Sequence, residues 1–398
     1  MSILLRSVIA AGLLAGVVAV ANFVTEPSTE GRAIAFSLIV GAVFGIVLQR
    51  SRFCFFCHFR DFVERRDPRG VLAIVVALAV GAVLYQVVVS AWMPVVRDTL
   101  PPNAHIGPVS WVLALAAFAF GVGMAISGSC LSAHLYRLGE GSPTSPFALV
   151  GALAGFVAGF LSWNALYLAA IAEAPATWLP HSLGYGGALA LALVVLGVLA
   201  VLILAWARPV EAAPAPGYDL SSVSRRIFID RWPALLGGAA VGVISALAYF
   251  RVAPLGVTAE LGSIARTGGF SAGLLPETLH GLDLLRGCAT AVKTALVSRN
   301  GAFVAALVVG SFAAALVAGQ FRPQWPTGGQ VLRGLAGGFL MGWGAMIGLG
   351  CTVGVLLSGI HVGALSGWVF LVFVTLGVWT TLFAQRRAAA AGRRQAAR

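Results

Sequence analysis

The sequence predicts an all-α, polytopic membrane protein made of two pseudo-symmetric repeats of opposite orientation, with broken half-helices meeting near the bilayer midplane. Three observations predict it. Of 398 residues, 59% are hydrophobic and only 10% charged, with a mean hydropathy of +0.93. That is too little charge to coat a water-soluble surface, and the apolar runs are continuous rather than alternating, which argues against a transmembrane barrel. The stretch Gly342-Trp343-Gly344-Ala345-Met346-Ile347-Gly348-Leu349-Gly350-Cys351 echoes Gly121-Val122-Gly123-Met124-Ala125-Ile126-Ser127-Gly128-Ser129-Cys130, glycine on glycine and cysteine on cysteine. Basic residues flank the apolar runs in a pattern that sets orientation.

The first apolar run, Val8 to Val24, is expected to be a retained helix, although Ala19-Val20-Ala21 resembles a signal-peptide cleavage site. Ala33 to Leu48 is the second span. After it come Gln49-Arg50-Ser51-Arg52-Phe53-Cys54-Phe55-Phe56-Cys57-His58 and the basic Val63–Arg69 segment, which is expected on the cytoplasmic side. Val71 to Met93 then crosses outward, and the Pro94–Pro108 loop, with Arg97 its one arginine, is external. Val109 to Ile126 returns and breaks at Ser127–Cys130. Cys130 to Leu138 is too short to span and is expected to be a re-entrant half-helix. Pro146 to Ile171 and Ser182 to Trp206 are two further spans. The polar segment Arg208 to Trp232 joins the halves in the cytoplasm.

The second half opens with Pro233 to Tyr249. Val252 to Ser298 is irregular, interrupted by glycines and holding Glu260, Arg266, Glu277, Asp283, Cys288 and Lys293, as expected of backbone lining a cavity. Ala302 to Ala318, Val331 to Ile347 and Ala364 to Phe383 complete the spans, and a basic tail follows, placing the C-terminus in the cytoplasm. The organisation expected is residues 1–206 as the first repeat with an extra leading helix, 207–232 as a cytoplasmic linker, 233–384 as the second repeat and 385–398 as the tail. The helix before Cys351 then runs opposite to the one before Cys130. Inverted repeats of this kind are common where a transported solute is held at the midplane.

The net charge of +12 comes almost wholly from arginine. No basic domain stands clear of the apolar runs, so nucleic acid is not an expected partner; loop orientation and attraction of an anionic solute account for the excess. Five cysteines at positions 54, 57, 130, 288 and 351 form no disulfide framework. A single buried cysteine is ordinarily a small hydrophobe, which suffices for Cys288. Cys130 and Cys351 differ, because each stands at the same repeat position behind the same glycines. Cys54-Phe55-Phe56-Cys57-His58 matches a haem-attachment pattern but sits beside the arginines that mark the cytoplasmic face, so no haem is expected. No second Cys/His pair makes a zinc site, and no phosphate-binding loop or dinucleotide fingerprint occurs. No cofactor, metal or catalytic residue is therefore expected. His134 and His361 have no counterparts in the opposite repeat, which fits structural residues.

A thiol at the start of a short helix, with glycine in front of it, suits a soft, sulfur-bearing anion. Helix N-terminal N–H groups hold negative charge, Gly128, Ser129, Gly348 and Gly350 allow close approach, and a neutral S–H is a weak, polarisable donor. At these residues the chain resembles the YeeE/YedE family of sulfur-compound permeases. The likeness rests on Gln49-Arg50-Ser51-Arg52-Phe53-Cys54-Phe55, Phe59-Arg60-Asp61, Gly128-Ser129-Cys130 and Gly348-Leu349-Gly350-Cys351, spanning roughly 32–384. It implies thiosulfate uptake at the bacterial inner membrane through a pinched bundle, with Cys54, Cys130 and Cys351 along the path, Arg52 beside it and Cys54 toward the cytoplasm. Cys57-His58, the long linker and Cys288 depart from the pattern, so a selenium or other reduced sulfur species remains an alternative solute. Glu260, Glu277 and Asp283 are the candidates for proton coupling, and a cytoplasmic sulfurtransferase is a candidate partner. Two rival functions are a membrane thiol–disulfide oxidoreductase using Cys54, Cys57 and Cys130, and a structural subunit.

Overall fold

The computed structural model describes residues 3–25, 28–96, 100–101, 103–208, 219–285, 290–295 and 297–396; Cys288 lies outside them. The regular elements among the described residues are all helices, beside one isolated β-bridge between Trp178 and Ala364. In chain order the helices are α1 (Ile3–Val24), α2 (Thr29–Ser51), the short α3 (Phe55–Arg65), α4 (Arg69–Trp92), α5 (Trp111–Ser127), the short α6 (Leu131–Gly139) and α7 (Ser145–Leu166), which ends in a π-helical turn, Tyr167–Ile171. Then come α8 (Leu179–Trp206), α9 (Leu220–Phe228), α10 (Ala234–Arg251), α11 (Val257–Ser271), α12 (Arg299–Val317) and α13 (Gly328–Ile347). A π-helical turn, Thr352–Ser358, leads into α14 (Gly359–Val362), and α15 (Leu365–Ala396) ends the chain. Nine helical stretches among the described residues are long and apolar enough to cross a membrane, and a further pair, α13 with Thr352–Val362, is bent by 43° at its break.

The helices start where the sequence supplies caps. Ser28 accepts from Gly31 N–H at 2.9 Å before α2, and Ser298 does the same for Gly301 before α12. Thr327 and Gln330 form a reciprocal capping box before α13. They end where left-handed backbone intervenes, at Arg52 (φ 51°) after α2 and at Gly128 (φ 83°) after α5.

Glycine sets how the helices pack. Lipid gives apolar helices no hydrophobic reason to associate, so close backbone approach has to hold them together. Gly41 and Gly45 of α2 press on Phe303 and Leu307 of α12, a parallel pairing, and Gly238 and Gly242 of α10 press likewise on Ala73 and Ala77 of α4. Gly151 and Gly155 of α7 meet Leu335 and Phe339 of α13, again parallel, as α5 meets α15 through Gly121 and Val374. These contacts pair α2 with α10, α4 with α12, α5 with α13 and α7 with α15 as equivalents, each packing on an element of the other half. At the centre α5 and α13 cross antiparallel, with Gly123 against Gly337 and Gly344 against Ala116. Equivalent helices that run antiparallel make the repeats inverted. The helices α1 and α8 have no counterpart.

Among the described residues, the irregular stretch after Tyr249 contains one α-helix, α11, which is the counterpart of α3, and a single 3-10 turn, Leu282–Leu284. The basic C-terminal segment continues the last span as helix as far as Ala396, because alanine and arginine favour helix and no breaker falls between Gln385 and Ala391.

Candidate functional site

Both helix breaks deliver a cysteine to the N-terminus of a short segment, and a second short helix starts beside each. In the first half, Cys54 is the N-cap of α3 and Cys130 the N-cap of α6. The two are 1% and 2% exposed. Cys54 Sγ lies 3.7 Å from Ser129 Oγ, and its thiol faces those of both Cys130 and Cys57. Cys130 Sγ lies 3.3 Å from Ser132 Oγ. Neither helix has a side-chain hydrogen bond at its cap. Two first turns therefore bring amide N–H groups without side-chain partners to one thiol cluster.

The second half repeats the plan with one change. Cys351, 1% exposed, caps the π-helical turn and accepts from Val353 N–H at 3.4 Å. Thr258, in the first turn of α11, sets its side chain against the Cys351 thiol. Cys351 thus matches Cys130, but Gly256 stands at the α11 cap where α3 has Cys54.

The two breaks are offset along the bundle. Ser127 packs on Gly337, and Ala116 on Gly348; eleven residues separate each pair along its helix, or about 16 Å at 1.5 Å per residue. The thiols accordingly mark two depths rather than one point. Gly128, left-handed and half-buried, has nothing within 4 Å of where a Cβ would sit, whereas most interior glycines are pressed against backbone. It faces open space beside Cys130. At the second break the left-handed residues are Leu349 (φ 59°) and Gly350 (φ 149°), and Gly348 is ordinary at φ −82°. A non-glycine residue in that conformation costs about 1–2 kcal/mol; its carbonyl is held by His105 Nε2 at 2.9 Å, from the loop before α5. Burial holds the His105 ring below the usual imidazole pKa, so it is neutral.

The other predicted residues fall less centrally. Arg52 is exposed and ends α2. Glu260 is buried, paired with Lys293, and accepts from Ser298 Oγ at 2.6 Å. Glu277 and Asp283 are exposed, and Asp283 pairs with Arg266 at 3.0 Å. Of the three acids, only Glu260 lies close in sequence to Thr258, the residue set against the Cys351 thiol. His134 bridges Ser145 and Ser127 at 3.2 and 3.1 Å, and His361 contacts Ala77 O and Ser245 Oγ, so both rings are tied into packing.

One residue escaped the sequence. Arg137, two turns along α6 from Cys130, donates through Nη2 to Cys57 Sγ at 3.1 Å, placing a guanidinium beside the thiol cluster. The signal was the seven-residue spacing Cys130–Arg137, which returns to the same helix face. No described group of three or more His, Cys, Asp or Glu could hold a metal.

Inverted repeats, apolar spans and buried thiols at paired helix breaks define a polytopic membrane transport protein. The chain belongs to the Sulphur transport family, whose model matches residues 50–380. It is similar to the thiosulfate transporter TsuA of Spirochaeta thermophila, 28% identical over 354 residues that make up 86% of this chain and 96% of that protein. The similarity to the thiosulfate transporter TsuA of Escherichia coli is 28% identity over 365 residues, 86% and 92% of the two chains.

Proposed function

We propose that this protein takes up thiosulfate, or a closely related sulfur-containing anion, across the bacterial inner membrane along a path lined by Cys54, Cys130 and Cys351. The observation that carries this is the pairing of short-helix N-termini at each break, with a thiol among them. Backbone N–H groups there offer diffuse positive charge to an anion without the tight grip of an arginine fork. Each thiol is a neutral donor that releases a soft terminal sulfur readily. Arg137 draws the anion toward Cys54, Cys57 and Cys130. Ser129, Gly128, Gly348 and Gly350 leave room for it, and Arg52, exposed at the end of α2, favours its exit.

Residues 1–206 and 233–384 act as the two halves, joined by a cytoplasmic linker at 207–232, with the C-terminal tail on the same side. A dianion entering a negative interior is opposed by about 2.3 kcal/mol per charge per 100 mV. Uptake therefore requires a coupled cation or rapid consumption inside by a sulfurtransferase. Glu260, buried and ion-paired, is a better coupling candidate than the exposed Glu277 and Asp283.

The test is uptake of labelled thiosulfate by cells lacking other sulfur-anion systems, with wild type beside Cys130→Ala and Cys351→Ala. Uptake by wild type and its loss in both variants supports the reading. An inserted wild type that takes up none refutes the substrate and turns attention to selenium and other reduced sulfur species; unimpaired variants remove the thiol path. The adjacency of Cys54, Cys57 and Cys130 favours one rival, a thiol–disulfide oxidoreductase. That rival requires Cys57, so full uptake by Cys57→Ser, with no disulfide trapped during turnover, excludes it.

A further inference from the structure

The helix α1, without a counterpart, leans on α12 and α2, and the linker helix α9 closes one end of the space they leave. The result is a groove of about 570 Å³, within the roughly 300–1,000 Å³ of a typical small-molecule pocket. Its walls are apolar: Ala10 and Leu14 from α1, Ile46 from α2, Ala314 from α12, and Phe228 and Trp232 at the linker end. One charged side chain lines it, Arg50, which is 2% exposed. The Arg50 guanidinium donates through Nη2 to the Asp230 carbonyl, but Nε and Nη1 are buried and have no hydrogen-bond partner. The nearest carboxylate, that of Asp230, is engaged by Arg225 at 3.2 Å. Among the described residues, no acidic side chain lines the groove.

A buried guanidinium with unused donors is costly unless something accepts from them. Here an anionic acceptor fits best, because the carboxylate beside Arg50, that of Asp230, is already engaged by Arg225. It also has to bring apolar bulk, because apart from Ser7 and Ser224 the remaining walls are aliphatic and aromatic. The setting agrees. Arg6, in the first turns of α1, lies beside Gly319 just past the end of α12, and Trp232 N–H donates to the Arg50 carbonyl at 3.0 Å. The C-terminal end of α2, the C-terminal end of α12, the start of α1 and the linker therefore share one level of the bundle. The exposed Ile227 and Phe228 on α9, next to Arg225 and Arg226, give that linker the apolar and basic character of an interfacial helix.

We propose that this groove is a binding site for one anionic phospholipid, its phosphate on the unused Arg50 donors and an acyl chain between α1, α2 and α12. Basic pockets between membrane helices recognise lipid headgroups in this way. The site is separate from the thiols, and the proposal does not depend on the transported solute.

The test is native mass spectrometry of the full-length protein in mild detergent, delipidated and titrated with phosphatidylglycerol, phosphatidylcholine or inorganic phosphate. Wild type is expected to retain one phosphatidylglycerol, and Arg50→Gln to bind it at least roughly fivefold more weakly, the loss of one charge contact near a membrane surface. Because Arg50→Gln could disturb the linker, Ala314→Leu, which keeps the arginine and fills the groove, is the second variant and is expected to lose the lipid as well. Quenching of Trp232 by brominated phosphatidylglycerol, absent in Trp232→Phe, locates the lipid. Equal retention of phosphatidylcholine, displacement of the lipid by phosphate alone, or unchanged binding in both Arg50→Gln and Ala314→Leu overturns the proposal.

Discussion

Gly128 offers the sharpest test of how the first break works, because its two constraints separate. Its backbone is left-handed at φ 83°, yet an added Cβ would meet nothing within 4 Å. Replacement by alanine therefore carries no steric clash, only the conformational cost of a left-handed L-residue, about 1–2 kcal/mol. For a chain of this size that amounts to a fall of about 1–3 °C in apparent melting temperature. Asparagine tolerates the left-handed region better, so Gly128→Asn should recover much of that stability. Uptake should rank the other way. The open space beside Gly128 adjoins Cys130, and asparagine fills it more than alanine does, so Gly128→Asn is expected to transport less than Gly128→Ala despite being the more stable. The assays are thermal unfolding of the purified protein in detergent and labelled-anion uptake normalised to inserted protein. If alanine proves as stable as glycine, the backbone is not held left-handed. If asparagine transports as well as wild type, the open space is not on the path.

Other substitutions probe the neighbouring features. Arg137→Gln removes the guanidinium beside Cys57; with a charge-assisted contact worth about 1.5–3 kcal/mol, the apparent KM for uptake should rise roughly ten- to hundredfold, and a wild-type KM would argue against a role for Arg137 in solute attraction. Lys293→Ala leaves Glu260 buried without its cation and should destabilise by about 3–5 kcal/mol, whereas Glu260→Leu with Lys293→Leu together should cost less than that single change; a denaturation series on both compares them. The loop residue His105 is neutral in the fold because burial lowers its pKa. The unfolded chain then binds the extra proton, so the stability His105 contributes is present above its unfolded pKa of about 6.5 and is lost as pH falls through that value. Melting curves from pH 7.5 to 5 should show that loss in wild type and a shallower one in His105→Gln; identical slopes would contradict it.

The spans and both breaks were legible because each is a local signal. Continuous apolar runs, glycine clustering and the repeated cysteine all lie within a dozen or so residues. The inverted arrangement followed from where arginines fall, and the antiparallel crossing of α5 and α13 matches it. What was not legible depends on distance in sequence. That Thr258 would meet Cys351, or Arg137 meet Cys57, requires knowing which short helix starts beside which. The acids between 252 and 298 looked alike in sequence, yet Glu260 is buried and Glu277 and Asp283 are exposed, because Glu260 lies on the buried face of α11 and the other two fall in the irregular segment after it. The unused donors of Arg50 were equally hidden, since its motif reads the same whether or not a carboxylate faces it.

The substitution of Gly256 for a second capping thiol has a kinetic consequence. The backbone keeps its two-fold relation, but the first half offers a passing anion two cap thiols and a nearby guanidinium, and the second offers one thiol and a hydroxyl. Along the path in the proposed function, the residence times at the two stations therefore differ, with the longer dwell beside Cys54 and Cys130. A symmetric scaffold carrying unequal wells lets the same inverted fold be tuned station by station, changing how long the solute waits on one side without altering how the helices pack.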